Sequence, residues 1–134
     1  MKLSSKGRYA VMALADIARF QPENPIPLRD ISLRQGISLV YLEQLFLKLK
    51  KNKIVLSVRG KNGGYILNRS AKDIKISEVF LAVEEKVKTI GCEKHSRKGC
   101  NGKNSKCITH NLWDELENYI NDFFERKTLK DLIN

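Results

Sequence analysis

Residues 28–51 read LRDISLRQGISLVYLEQLFLKLKK, and this stretch decides the fold. Residues 28–35 place Leu28 and Ile31 on one side of a short helix. Gly36 follows where a helix C-terminus needs a left-handed residue, and Ser38 can cap the next helix. Over residues 39–51, Leu42, Leu45, Phe46 and Leu49 recur at the i, i+3, i+4, i+7 spacing that buries one face. Val40, Glu43, Gln44, Leu47 and Lys48 are left on the other face. Two helices joined by the tight Gly36-Ile37-Ser38 turn form a helix-turn-helix.

Upstream, residues 3–20 predict a helix with Ser4 or Ser5 as N-cap and Ala10, Ala13, Leu14, Ile17 and Phe20 on its buried stripe, stopped by Pro22 and Pro25. Downstream, β-prone runs at 54–58 and 65–67 flank Arg59-Gly60-Lys61-Asn62-Gly63-Gly64, whose Asn-Gly pair is a turn signal. Three helices followed by a hairpin with a basic tip make a winged helix-turn-helix, a mainly α fold with a small β-hairpin wing. Ile76, Val79, Phe80, Val83 and Val87 then predict an amphipathic helix fading at residues 89–91. The segment to about residue 106 is rich in Gly, Asn and Ser and reads as loop.

From 108 to 126 a long helix carries Leu112, Trp113, Leu116, Tyr119, Ile120, Phe123 and Phe124. Such a stripe can be buried on its own domain or on a second copy. A two-helix tail has little core of its own, which favours a homodimer with Leu112, Trp113, Leu116, Ile120 and Phe123 at the seam. Thr128 with Asp131 matches a capping box for a last short helix containing Leu129, Leu132 and Ile133. The expected organisation is a DNA-binding domain over 1–75, a connecting helix over 76–91, a metal-binding loop over 92–107, and a dimerisation helix with a short terminal helix over 108–134.

At 134 residues, with 42% hydrophobic and 30% charged side chains, the chain has the size and composition of one soluble domain. Its apolar runs fall far short of the ~20 residues that span a bilayer. No membrane role is expected, and the opening MKLSSKGR lacks the apolar stretch of a secretory signal, which predicts a cytoplasmic protein. The net charge of +10 is uneven. Residues 1–70 hold 13 basic and 4 acidic groups, whereas 111–134 hold 3 basic and 6 acidic. This is the charge pattern of a polyanion-binding module beside a part with another task, although a solubilising surface would look similar.

A helix fits the major groove, and side chains near its N-terminus reach base edges. Here that helix is 39–51, headed by Ser38. Gln44 can pair with adenine in two places, Glu43 can accept from a cytosine amino group, and Tyr41 can meet a phosphate or a base. A carboxylate facing phosphates is repelled, so Glu43 points to selectivity against wrong sequences, unless it is simply a solvated helix charge. Lys48, Lys50, Lys51 and Lys53 suit phosphate contacts or plain solubility. Arg59 and Lys61 at the wing tip can reach a minor groove, though basic glycine-rich hairpins also occur without any DNA role.

All three cysteines fall in one window with both histidines: Cys92, His95, Cys100, Cys107 and His110. Three cysteines cannot all pair within one chain, and thiols clustered with imidazoles suggest a metal or redox site, with free reduced cysteines as the plain alternative. The set Cys92-x7-Cys100-x6-Cys107-x2-His110 suits one tetrahedral zinc or a [2Fe-2S] cluster. Paired C-x-x-C knuckles are missing, so binding is expected to order the loop around the metal. Lys94, Arg97, Lys98, Lys103 and Lys106 would stabilise thiolates there. His95 can replace His110, but His110 lies three residues from Cys107 at a helix start and is preferred.

Ser4-Ser5-Lys6-Gly7-Arg8-Tyr9-Ala10, Asp30-Ile31-Ser32, Gly36-Ile37-Ser38-Leu39, Tyr41-Leu42-Glu43-Gln44-Leu45-Phe46, Ser57-Val58-Arg59-Gly60 and Gly63-Gly64-Tyr65 together resemble the bacterial Rrf-two transcription factor family. Cys107-Ile108-Thr109-His110 followed by Leu112-Trp113 is similar to its iron–sulfur cluster regulator branch. The resemblance implies a homodimeric winged-helix regulator that binds double-stranded DNA at a palindromic operator. It further implies a [2Fe-2S] cluster, received from the iron–sulfur assembly machinery, and control of the genes for that assembly. By position the ligands would be Cys92, Cys100, Cys107 and His110, and the DNA readers would include Tyr41, Glu43, Gln44 and Arg59. The sequence departs from the branch in a longer cysteine loop, in Val40 where a serine is common, and in Lys61-Asn62 where a Pro-Gly is common at the wing. The rivals are a regulator of the same fold sensing zinc, nitric oxide or thiol oxidation, and a metalloenzyme or redox protein. No nucleophile–base pair or phosphate-cradling loop accompanies the thiols, so no enzyme is expected.

Overall fold

Ser4 opens the first helix: its hydroxyl accepts the Lys6 amide at 3.3 Å, and α1 runs Ser5–Phe20. The computed structural model describes residues 4–20, 24–85 and 108–133. Ala10, Ala13, Leu14 and Ile17 are buried as their spacing requires. Phe20 departs from the expected stripe and is 50% exposed. It ends the helix, and the Arg19 and Arg34 guanidinium groups lie over its ring instead of a core neighbour.

Helix α2 (Leu28–Gln35) closes on Gly36, whose φ of +68° lets its amide turn back to the Ser32 carbonyl at 2.9 Å. Helix α3 (Leu39–Lys51) starts at Ser38, whose hydroxyl accepts the Tyr41 amide, and buries Leu42, Leu45, Phe46 and Leu49. Both helices have the bounds their caps predict. At the far end of α3, Lys53 takes a φ of +61°, and the amides of Lys53 and Ile54 return to Lys50 and Leu49, each at 3.0 Å.

The wing pairs β1 (Val55–Val58) with β2 (Gly64–Leu67) in antiparallel register, Val58 opposite Gly64. Its turn closes from the Gly63 amide to the Gly60 carbonyl at 3.0 Å. Lys61 and Asn62 are therefore central, one residue before the Asn62-Gly63 pair that signalled the turn. Ile26 joins as a one-residue bridge, exchanging both backbone hydrogen bonds with Tyr65 at 3.0 and 2.9 Å. The approach demands Gly64, because a Cβ there would lie 2.3 Å from the Ile26 carbonyl carbon.

Helix α4 (Ile76–Ala82) follows a 3-10 turn at Ala71–Asp73 and is shorter than its apolar spacing suggests. Glu84 adopts a φ of +61°, and the amides of Glu84 and Glu85 bond back to Leu81 and Phe80 at 3.2 and 2.8 Å, which ends the helix. Val87, expected on the same stripe, and the 92–107 loop lie outside the described residues. Helix α5 (His110–Arg126) begins two residues later than expected, with Thr109 as its N-cap and Ile108 fully exposed.

Among the described residues a single core runs from Ala10 to Leu129. Leu129 is fully buried and its amide donates to the Ile74 carbonyl at 3.0 Å, while the Ile76 amide donates to Lys127 at 2.9 Å. The Asp131 carboxylate accepts the Thr128 amide at 2.9 Å ahead of α6 (Lys130–Ile133), as the capping box predicts. Asp16 is a buried carboxylate that binds Arg34 through two bonds of 2.9 and 2.7 Å and Gln35 at 2.9 Å, pinning α2 to α1.

Leu129→Ala should cost about 2–5 kcal/mol in urea unfolding, the usual cost of emptying a buried leucine site. The hydrogen bond from Lys75, aided by Ser77, holds the Glu125 carboxyl below its ordinary pKa, and the Thr128 amide does the same for Asp131. A carboxyl depressed in the folded state stabilises above its unfolded pKa and loses that contribution as pH falls through the folded value. Amide protection in α5 and α6 should therefore fall before that of α3 on acidification below about pH 4. Simultaneous loss in all three helices would contradict this.

Candidate nucleic-acid interface

Because α3 buries one face, the opposite face is set outward as a unit. Ser38, Val40, Glu43, Gln44 and Leu47 are all exposed on it. Arg59 and Lys61 stand exposed on the wing. The two surfaces are held together by Phe46 of α3 and Tyr65 of β2, whose rings meet edge-on at 4.8 Å. Tyr41 is half-buried, edge-on to Tyr9, and its hydroxyl lies 2.9 Å from the Ser5 hydroxyl. It anchors the start of α3 to the start of α1.

Lys48 differs from the free cation the sequence suggests. Its ammonium lies 3.3 Å from the Glu84 carboxylate. Lys6 donates to the Glu84 carbonyl at 3.4 Å, and Ser4 donates to the Glu85 carboxylate at 2.7 Å. Glu85 is buried, and its other oxygen has no hydrogen-bond partner among the described residues. Gly7 makes room for it: a Cβ at Gly7 would lie 2.8 Å from the Glu85 Cγ. The end of α4, from which the chain continues to the cysteines, is thus tied to α1 and to α3. Gly7 inside a helix and two successive acids before the cysteines were the sequence signals for this cluster. Lys50, Lys51 and Lys53 remain exposed at the C-terminal end of α3, where cations also suit the helix dipole.

Among the candidate metal ligands, His110 is the first residue of α5 and is half-buried. Cys92, His95, Cys100 and Cys107 lie outside the described residues. Along α5, Leu112 is 57% and Phe123 49% exposed, and Leu116 and Tyr119 also face outward. Trp113 is partly covered, its ring N–H donating to the Thr109 hydroxyl at 3.1 Å. Ile120, expected at the seam, packs with Phe124 against the chain's own core, where Phe124 meets Phe80 at 4.7 Å. An apolar groove lined by Val11, Ile76, Phe80, Phe123, Phe124 and Leu132 adjoins this exposed stripe. Among the described residues no helix is long and apolar enough to cross a membrane.

A helix-turn-helix with a hairpin wing, a basic N-terminal half and a histidine-headed C-terminal helix has counterparts among known proteins. Residues 3–134 match the model of the Rrf2 family, described as an iron-dependent transcriptional regulator. The chain belongs to the Rrf2 family of transcriptional regulators. This Rrf2 chain is 52% identical to the HTH-type transcriptional regulator IscR of Pectobacterium carotovorum subsp. carotovorum (strain PC1), over all of its own length and 80% of that protein. It is 49% identical to IscR of Serratia proteamaculans (strain 568), with the same coverage. Among solved structures it is similar to T. potens IscR, at a TM-score of 0.77 and 34% identity over 99% of this chain and 86% of that one. It is also similar to CymR (YrzC), the global cysteine regulator of B. subtilis, at a TM-score of 0.82 and 26% identity over 99% of this chain and 96% of that one. Within the Rrf2 family its likeness is to IscR, and its fold is the mainly helical winged fold of these regulators.

The Glu84 carboxylate lies where it competes with a phosphate for the Lys48 ammonium. Glu84→Gln should steepen the slope of log affinity for duplex DNA against log salt by up to ~0.9 per chain, the value for one more neutralised phosphate. In a Lys48→Ala background the same change should leave the slope unaltered. Equal steepening in both backgrounds would assign the effect to general charge rather than to this pair.

Proposed function

We propose that this Rrf2 regulator senses iron–sulfur status through a [2Fe-2S] cluster held by Cys92, Cys100, Cys107 and His110, and so controls genes for iron–sulfur assembly. The observation that carries the reading is the placement of His110 as the first residue of α5, three residues after Cys107, in an IscR-like chain. Three thiols and one imidazole fit two tetrahedral irons, and the neutral imidazole leaves the loaded site less negative than four thiolates would. When bound, the cluster supplies a group that is lost or changed with iron supply and oxidant. The chain's own part is to hold it: α5 carries His110 at its first position, and Lys94, Arg97, Lys98, Lys103 and Lys106 favour thiolate at the cysteines. The assembly machinery is the source of the cluster, and the protein acts in the cytoplasm.

The regulator works as a homodimer on a palindromic operator. Leu112, Trp113, Leu116 and Phe123 form the seam, supported by the exposed apolar face of α5, with Ile120 behind them. Two copies of α3 then enter successive major grooves ~34 Å apart. Ser38, Lys48 and Lys61 position the protein, and Tyr41, Glu43, Gln44 and Arg59 are its DNA readers.

Protein purified without oxygen should carry about two irons and two sulfides per chain, with visible absorption. Cys92→Ala, Cys100→Ala, Cys107→Ala and His110→Ala should each lose them, whereas His95→Ala should not. One zinc per chain without sulfide would overturn the cluster reading. Light scattering should give a dimer that Trp113→Ala or Leu116→Asp weakens before the winged domain unfolds, and a monomer at micromolar concentration would overturn the dimer.

A further inference from the structure

Val40 lies two residues past the N-cap Ser38, in the first turn of α3, and is 64% exposed. It shares its face with Glu43 and Gln44 at i+3 and i+4, and the core has no use for it. A β-branched side chain is among the poorer helix formers, so an exposed valine weakens the helix that carries it. Scattered exposed apolar residues need no explanation, but this one stands among the base-reading candidates at the end of the helix that comes nearest the base edges.

Resting on the reading of α3 as the recognition helix, we propose that Val40 is a specificity-determining residue that packs its methyl groups on the 5-methyl group of a thymine. That methyl is the one apolar group a base pair presents in the major groove. Valine in a helix holds one χ1 rotamer about 90% of the time, so its methyls are aimed before DNA arrives. The Val40 side chain has no hydrogen bond to offer a phosphate or a guanine, so its contribution is confined to A·T pairs. A thymine one step from the pair read by Gln44 or Glu43 meets this requirement.

The test uses the full chain and a duplex enriched by it from a random-sequence pool. Each thymine of that duplex is replaced in turn by deoxyuridine, which removes the methyl group and keeps every hydrogen bond. One thymine per half-site should show about fourfold weaker binding, the worth of one buried methyl. The effect should vanish in Val40→Ala and persist in Leu47→Ala, whose side chain is also exposed on α3 but two turns on. Alanine favours the helix, so Val40→Ala should unfold at the same urea concentration as wild type or higher. Absence of a methyl effect at any thymine, or its survival in Val40→Ala, would overturn the proposal while leaving DNA binding intact. Failure of any duplex to be enriched would overturn the recognition-helix reading as well.

Discussion

Leu42, Leu45, Phe46 and Leu49 leave water together when α3 seats on α1, and the working surface of the protein depends on that burial. Each such side chain is worth about 1.5–3 kcal/mol when fully buried. Their common face fixes the rotation of the helix about its axis, and rotation fixes which residues look out. Val40, Glu43 and Gln44 are presented because their neighbours are held, and the Phe46 ring carries the constraint onward to Tyr65 at the root of the wing. The buried Asp16, gripped by Arg34 and Gln35, sets α2 against α1 and so fixes the turn from which α3 departs.

The parts legible in the sequence are those whose signals are local. Gly36 and Ser38 mark a helix end and a helix start by their own chemistry, and α2 and α3 have the bounds they imply. The wing strands follow from β-prone runs around a glycine-rich turn. What was not legible depends on partners far along the chain. α4 ends at a left-handed glutamate, Glu84, where the usual glycine mark is missing. Lys48 reads as a free cation because its partner Glu84 is 36 residues away. Nothing near Asp16 in the sequence marks it as buried, because its partners Arg34 and Gln35 are 18 and 19 residues away, and nothing near Leu129 announces that it completes the core. The site is legible in its residue types, three thiols and two imidazoles in one window, while its geometry falls outside the described residues except at His110.

The two ends of the cysteine segment connect to different parts of the molecule. At one end, Glu84 and Glu85 touch Lys48 of α3 and Ser4 at the start of α1. At the other, His110 opens the helix whose exposed apolar face is the proposed dimer seam. A group bound by that segment would act on both anchors, one beside the proposed phosphate contacts and the other in the proposed dimer seam. A coupling free energy between cluster and DNA requires differential contacts of this kind in the two states.

The most direct measurement is a titration of the intact chain, loaded and cluster-free, onto an enriched duplex and a scrambled one at a single salt concentration. Cluster-coupled reading requires the ratio of the two affinities to change by about tenfold on cluster removal, within the usual range of allosteric coupling. Equal ratios in the loaded and cluster-free protein would contradict it.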